Sequence, residues 1–251
     1  MHMVCCNNFR KMICAIIMIV FMVMFSSCLL LLPSYATETD TSSQQVIEEP
    51  ETEAPAVEEP EVPVKIYSIG DPGPAGGLVF YDKGEYGDGW RFLEAASAGW
   101  SGSPYDPKAQ WGAFPFTMNG AVLKTGLGDG LENSEHIVNY NKHIQANRET
   151  YDQLPEGQKV LAYDHNGSVA AALCLDAVIN GFDDWYLPSQ DELELVRNNL
   201  YKNNLGSLQA DLFWSSSMSN DRSGTMMNFW NGAIGGSYSN TSYYVRPVRK
   251  F

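Results

Sequence analysis

Residues 66–251 of this 251-residue chain predict an α+β domain. An apolar, strand-like run lies near the start of the domain, two helical runs lie in its middle, and short aromatic-rich runs follow to the end. A 3.6-residue period indicates helices, whereas short apolar runs bounded by Gly, Ser and Asn indicate strands. Helices and strands therefore occupy separate stretches of the sequence, which is typical of the α+β class.

Residues 1–36 predict an export segment. Arg10 and Lys11 precede an uncharged run of 21 residues, 12–32. The sequence SYA, which ends at Ala36, fits the small-residue cleavage pattern of a signal peptide. Two alternatives stay open: lipidation of Cys28 in the sequence FSSC, and an uncleaved membrane anchor, since the run is just long enough to span a bilayer. All three place the rest of the chain outside the cytoplasmic membrane, because the nearby basic residues precede the run. We therefore expect an extracytoplasmic protein, either secreted or anchored at the cell surface.

Residues 37–65 predict a disordered acidic linker rich in Pro and Glu. They contain nine acidic residues, four prolines and one lysine. Such a composition buries too little apolar surface to fold, and its like charges extend the chain. The linker either holds the next domain away from the envelope or only keeps the protein soluble. The remaining residues, 66–251, form one domain that is long enough for a substantial core.

Charge and cysteine content narrow the classes of partner and site. The chain has 30 acidic and 16 basic residues, a formal net charge of −14, and its domain has no Lys/Arg cluster. Nucleic acid is therefore not an expected partner. Of the five cysteines only Cys174 lies in the domain, so no internal disulfide is expected. Cys174 lies in the apolar helical run AAALCLDAV, which predicts a buried thiol with a packing role.

The first half of the domain predicts strands joined by turns, followed by a helix. The Pro/Gly turn GDPGPAGG leads into a strand at 78–82, and the turn GEYGDG leads to a strand or a strand–helix junction at 90–96. The Gly- and aromatic-rich stretch that follows is predicted to be irregular. Asn133 or Ser134 then fits the N-cap of a helix that runs to about residue 148.

The second half predicts helices first and strands afterwards. A helix over 168–180 ends at Gly181, a typical residue after a helix C-terminus, and DDWYLP follows as a short strand. Ser189 and Glu192 form a capping box for the next helix. One face of that helix carries Leu193, Val196 and Leu200. The runs FWSSS, TMMNFW and SYYVRPVRKF predict short strands separated by turns.

Several motifs of the second half resemble a known bacterial family. In order they are the cysteine-bearing helix with its following Gly181, DWYLPS with Glu192, FWSSS, NFWNG and YYVRPVR. Together they resemble the Lcl C-terminal domain family, the C-terminal domain of collagen-like adhesins, and the related major-paralogous-domain proteins of bacterial surfaces. The opening GPAGGLVFYDKG is also similar to surface proteins of this group, so the resemblance runs from about 69 to 251. Tyr186 replaces the arginine usual in the family, which puts any salt bridge of that arginine in doubt.

The resemblance implies a C-type lectin-like fold with paired N- and C-terminal strands, two central helices and C-terminal β-hairpins. The pairing strands would be LVFYD and YYVRPVR. It also implies an adhesin-like ligand-binding protein of the cell surface that recognises a polysaccharide, another glycan or a surface protein. The alternative is a variable surface binding protein, in which a retroelement diversifies the ligand-binding stretch. The motif residues that are then expected to form the scaffold are Trp185, Pro188, Trp214 and Arg246.

The stretch 213–244 predicts the binding face. It contains eight Ser, four Gly, four Asn, three Tyr and two Trp, a mixture that antibody combining loops also use. Ordinary polar hairpins are the alternative interpretation. Strand alternation points Trp230 away from the face of Phe229, which we assign to the core. Arg222 is expected to pair with a sulfate or carboxylate. The residues predicted to bind ligand are Trp230, Tyr238, Asn220, Arg222, Asn228, Ile234 and Asn240.

No enzyme activity, cofactor or metal ion is expected. The sequence has no H-E-x-x-H, G-x-S-x-G or C-x-x-C motif. His136 and His143 lie seven residues apart, which suits a solvated helix face better than a metal site. A calcium-dependent sugar site is disfavoured, because WNG keeps only two letters of W-N-D and no E-P-N or Q-P-D occurs. A glycan-acting hydrolase is the alternative, and its paired carboxylates would be Asp88 or Glu94 with Asp211 or Asp221.

Export makes a direct prediction about the mature chain. Cleavage after SYA should leave Thr37 as the first residue, which mass spectrometry of the protein recovered from its host would detect. A lipidated N-terminus at Cys28 would contradict this cleavage site but not the compartment. A full-length chain recovered from the cytoplasm would contradict export itself.

Overall fold

The domain consists of two β-sheets and several helices. A computed structural model describes residues 65–112, 123–153, 169–220 and 223–251. These residues belong to one compact unit, Val62–Phe251. The strands are β1 (Leu78–Gly87), β2 (Trp90–Ala95), β3 (Lys108–Gln110), β4 (Leu212–Asn220), β5 (Ser223–Asn228), β6 (Ile234–Tyr238), β7 (Ser242–Tyr244) and β8 (Val248–Lys250). The helices are α1 (Gly130–Ala146), α2 (Arg148–Asp152), α3 (Ala170–Leu175) and α4 (Gln190–Leu195). The predicted α+β class is confirmed.

The first sheet joins the start of the domain to its end, in the order β1-β2-β8. Asp88 and Gly89 both have positive φ and form the two-residue turn that folds β2 back on β1. The last strand pairs with β2, where Ala95 faces Val248. The expected direct pairing of LVFYD with the C-terminal strand is therefore wrong. The tight Asp-Gly turn places β1 on one side of β2 and leaves the other side for β8.

The second sheet has the order β3-β7-β4-β5-β6 and contains the three aromatic-rich runs. β4, β5 and β6 follow one another as antiparallel neighbours, and β7 lies parallel to β4 on the other side. The predicted run SYYVRPVRKF is not one strand. It divides into β7 in the second sheet and β8 in the first, because residues 245–247, which include Pro247, leave one ladder and cross to the other.

Helix α1 begins earlier than predicted, at Gly130 after the N-cap Asp129. Asn133 and Ser134 are not caps, because both are buried within the first turns and bond elsewhere. The Oγ of Ser134 donates to the carbonyl oxygen of Gly130 at 2.7 Å and accepts the Leu187 N–H at 3.0 Å. These short polar side chains therefore tie the helix to the chain around Leu187.

The helix predicted to end at Gly181 ends at Leu175 instead. Asn180 and Gly181 both have positive φ, and the backbones of Ile179 and Phe182 exchange two hydrogen bonds around them. Asn-Gly is the preferred pair for this type of two-residue turn, so the glycine belongs to a hairpin and not to a helix terminus. The DDWYLP segment is also not a strand. Within it a single bridge joins Tyr186 to Val248.

The predicted capping box of α4 is confirmed. The Ser189 Oγ accepts the Glu192 N–H at 3.3 Å, and the Glu192 carboxylate accepts the Ser189 N–H at 2.7 Å. Beyond α4 the chain continues through a π-helical turn, Val196–Leu200, and a 3₁₀ turn, Tyr201–Asn203. The apolar face predicted for this region lies in the core, where Leu193, Val196 and Leu200 are all buried.

The motif residues expected to form the scaffold are all buried. Trp185 and Trp214 have no exposed surface, Pro188 is buried, and Arg246 is 1% exposed. Cys174 is also fully buried among apolar side chains, and burial raises the pKa of its thiol well above the ordinary value. No helix of the described residues is both long and apolar enough to cross a bilayer. The predicted export segment and all of the linker except Lys65 lie outside the described residues.

Glu192 is a buried carboxyl with an unusual set of neighbours. Its side chain accepts hydrogen bonds from the N–H groups of Ser189 and Gly128 and from the hydroxyl of Tyr186, the last at 3.1 Å. Tyr186 therefore supplies a neutral donor to this carboxyl. Burial outweighs these hydrogen bonds and raises the pKa of Glu192 to about 7.

This raised pKa predicts that Glu192 makes the folded state less stable as the pH rises. Below the unfolded pKa both states hold the proton; between pH 4.5 and about 7 only the folded state does, so its stability falls across that range. The loss reaches roughly 3 kcal/mol when the carboxyl is ionised. Urea unfolding at pH 5 and pH 8 should show this loss, and Glu192→Gln should reduce it. The exposed Glu194→Gln is the matched control, and an equal pH effect in both variants would contradict the assignment.

Candidate functional site

The connection between β5 and β6, residues 229–233, presents an aromatic side chain to solvent. Trp230 is 74% exposed, the largest exposed fraction among the large apolar side chains of the described residues. The preceding Phe229 is fully buried and stacks on Phe213, with ring centroids 4.3 Å apart. The predicted outward orientation of Trp230 is therefore confirmed, and a buried neighbour holds the backbone beside it.

Backbone hydrogen bonds to Asn228 order this turn. The Asn228 Oδ1 accepts the N–H of Trp230 at 2.9 Å and the N–H of Asn231 at 3.4 Å. The Asn228 carbonyl oxygen also accepts the Gly232 N–H at 2.7 Å. Asn228 is a predicted ligand contact, and in the structure its side chain also takes part in shaping the turn. This follows from its place at the strand end, where an Asn side chain readily bonds backbone groups two residues later.

Arg197 supports the same turn from the π-helical segment. Its Nε donates to the Phe229 carbonyl oxygen at 2.9 Å, and its guanidinium lies against Gly232. A Cβ at Gly232 would lie 2.9 Å from the Arg197 Cζ, and the φ of Gly232 is +81°, so a glycine is required there. No carboxylate of the described residues forms a salt bridge with Arg197. A half-buried cation therefore lies next to the turn that carries Trp230.

A second group of predicted residues lies at the other end of the β5–β6 hairpin. Asn220, Tyr238 and Asn240 are all exposed there, and Tyr238 is 62% exposed. A shallow depression of about 600 Å³ is lined at this end by Asn220, Ser223, Gly236, Ser237 and Tyr238. Arg222, the predicted partner of an anionic group, lies outside the described residues.

The register of β5 and β6 separates the two groups. Met227 faces Ile234 near the Trp230 turn, whereas Ser223 faces Tyr238 at the opposite end. Four strand residues at about 3.3 Å each put Ile234 and Tyr238 roughly 13 Å apart. The structure therefore brings Ile234 towards Trp230, and it does not gather the predicted ligand residues into one cluster.

Two of the carboxylates considered for a hydrolase, Glu94 and Asp211, make structural contacts, and the exposed Asp88 lies 3.8 Å from the Lys83 ammonium. Glu94 is fully buried, accepts the Gly77 N–H at 2.6 Å, and lies 3.3 Å from a guanidinium nitrogen of Arg249. Asp211 pairs with Lys108 at 3.1 Å and accepts the N–H of Leu212. Asp221 lies outside the described residues. The part of the chain that the structure describes also holds no group of three or more His, Cys, Asp or Glu residues suited to a metal ion.

Comparison with known protein families gives a match to the C-terminal part of the domain. Residues 135–249, from within α1 to β8, match the family model of the Lcl C-terminal domain. This segment is thus similar to the Lcl C-terminal domain, which belongs to a surface-associated, adhesin-like family, and the family match predicted from the motifs is confirmed over these residues. No curated protein matched the chain. The motif GPAGGLVFYDKG at the start of the domain lies before residue 135 and therefore outside the matched segment. Strands β1 and β2 nevertheless form one sheet with β8, which lies at the end of the matched segment.

Proposed function

We propose that this chain is an exported, adhesin-like protein of the bacterial surface that binds a polysaccharide or another glycan at the Trp230 turn. The exposure of Trp230 carries the proposal. A tryptophan that is 74% exposed on an ordered turn offers a large apolar face at low entropic cost, because the backbone beneath it is already fixed. Sugar rings present apolar C–H faces that stack on such a side chain.

Arg197 supports a ligand that carries acidic groups. Its guanidinium lies against Gly232 and makes no salt bridge with a carboxylate of the described residues. Arginine recognises planar carboxylate and sulfate groups through paired N–H donors. A cation beside an exposed indole would let a protein of formal net charge −14 hold an anionic polysaccharide. This role adds to the pairing with a sulfate or carboxylate that the sequence predicts for Arg222.

The proposal includes a C-type lectin-like architecture for the domain. Its support is the family match together with the first sheet, in which the N-terminal hairpin and the C-terminal β8 lie side by side. Binding loops in such an architecture precede the last strand, and the Trp230 turn has that position in the chain. The export segment and the acidic linker would then present the domain outside the cytoplasmic membrane.

An array of glycans and polysaccharides tests this function with the exported protein. Trp230→Ala should weaken binding about 30-fold, equivalent to ~2 kcal/mol, because it removes the stacking surface. Tyr86→Ala is the matched control, since Tyr86 is 71% exposed on β1 in the other sheet and should leave binding unchanged. Circular dichroism would show that both variants keep the fold. A ligand bound equally well by wild type and Trp230→Ala would remove the turn as the site.

A further inference from the structure

Strand β6 forms one edge of the second sheet, and no strand of the described residues pairs with its outer side. The Asn228 N–H donates to the Ala233 carbonyl oxygen, which fixes the direction in which each backbone group points. Because this direction alternates along a strand, the backbone N–H and C=O groups of residues 233, 235 and 237 point towards β5. The backbone groups of Ile234 and Gly236 therefore point away from the sheet.

The other described sheet edges carry features that discourage pairing with a second chain. β1 contains Lys83 and Glu85 and has two shifts of register against β2. β3 has only three residues and includes Lys108, and β8 has three residues and includes Lys250. Short edges, charged side chains and bulges are the usual means by which proteins prevent edge-to-edge association.

None of these protective features occurs in β6. Its sequence IGGSY has no charge and no proline, and its register with β5 runs through five consecutive residue pairs without a shift. The whole stretch 223–244 has no charged side chain. A second copy of the chain would therefore meet no charge repulsion along this edge, despite the acidic character of the protein.

The side chains of β6 are arranged symmetrically about Gly236. Ile234 lies two residues before it and Tyr238 two residues after it, and they are 42% and 62% exposed. The flanking positions hold the small residues Gly235 and Ser237. A two-fold axis through Gly236 would thus place Ile234 of each copy opposite Tyr238 of the other copy. A symmetric dimer needs this kind of self-complementarity.

We propose that β6 pairs antiparallel with β6 of a second copy of this chain, centred on Gly236. The two Gly236 residues then exchange backbone hydrogen bonds, and Ile234 packs against Tyr238 of the partner subunit. Pairs of an aromatic and a β-branched residue are among the favourable cross-strand contacts. The five-stranded sheets join into one sheet of ten strands.

The dimer goes beyond the proposed glycan-binding function and leaves the Trp230 turn open. It assigns Ile234 and Tyr238 to the interface rather than to the ligand. The two Trp230 turns would lie at opposite ends of the joined strands, so one dimer presents two sites. Two linked sites raise the avidity for a repetitive surface polymer without any new contact at either site.

Light scattering of the full chain in mild detergent tests the interface by mass. Wild type should have twice the protein mass of one chain, and Ile234→Lys with Tyr238→Lys should raise the dissociation constant at least tenfold, because charges protect the edge. Val178→Lys is the matched control, since Val178 is a 70% exposed apolar residue elsewhere and should stay dimeric. A monomeric wild type would overturn the proposal, as would lysine variants that remain dimeric.

Cysteine cross-linking tests the register. Residues that face each other in a hydrogen-bonded antiparallel pair have Cα atoms about 5.5 Å apart, which a disulfide can bridge. A mixture of full-length Ile234→Cys and Tyr238→Cys chains should give a mixed cross-linked dimer on mild oxidation, at a level absent from wild type. Each variant alone should not gain a cross-link, because identical positions lie roughly 13 Å apart in this register. No mixed dimer, or capture of an unrelated extended peptide by a monomeric chain, would overturn the proposal.

Discussion

The arrangement of the two sheets depends on the buried ion pair between Arg246 and Asp106. Arg246 lies where the chain crosses from β7 to β8, and its guanidinium donates two hydrogen bonds to the Asp106 carboxylate at 2.8 and 2.9 Å. Its Nη1 donates to the carbonyl oxygens of Ala96 and Gly206 at 2.8 and 3.0 Å. One side chain thus connects the end of β2, the segment before β3 and the loop before β4.

This constraint has an energetic consequence. Arg246 and Asp106 are 1% and 0% exposed, so neither charge is compensated by water if its partner is lost. Breaking such a pair typically costs 3–5 kcal/mol, because one buried charge stays unpaired. The pair ties the crossing segment to the segment before β3, and β7, which leads into this segment, pairs with β4. The hairpins that carry Trp230 are then built outward from β4.

Local sequence signals predicted the features that depend on neighbours in the chain. The capping box needs only Ser189 and Glu192, three residues apart, and its geometry is as predicted. The Asn180-Gly181 turn was also signalled locally, but the competing helix signal led to the wrong interpretation. The outward position of Trp230 was predicted from alternation along a strand, and the exposure is as predicted although β5 ends at Asn228 and Trp230 lies in the turn that follows.

Contacts between distant parts of the chain could not be predicted in this way. Arg197 lies 32 residues before the carbonyl group it bonds, and nothing in the spacing of that helix indicates the contact. The separation of Trp230 from Tyr238 depends on the register of β5 and β6, which composition does not encode. The polar bonds of Ser134 to Leu187, 53 residues away, likewise move the start of α1 away from the predicted cap. Family motifs identified the domain without specifying these contacts.

Glycan binding is proposed to take place on an ordered turn that is held by Asn228 and Arg197 and presents Trp230. The most direct measurement is an NMR titration of the exported protein with a polysaccharide that it binds, following side-chain N–H resonances. We expect the largest shifts on the N–H groups of the Trp230 indole and the Arg197 Nε. Shifts confined to the depression around Asn220 and Tyr238, with the Trp230 indole unchanged, would contradict the proposal.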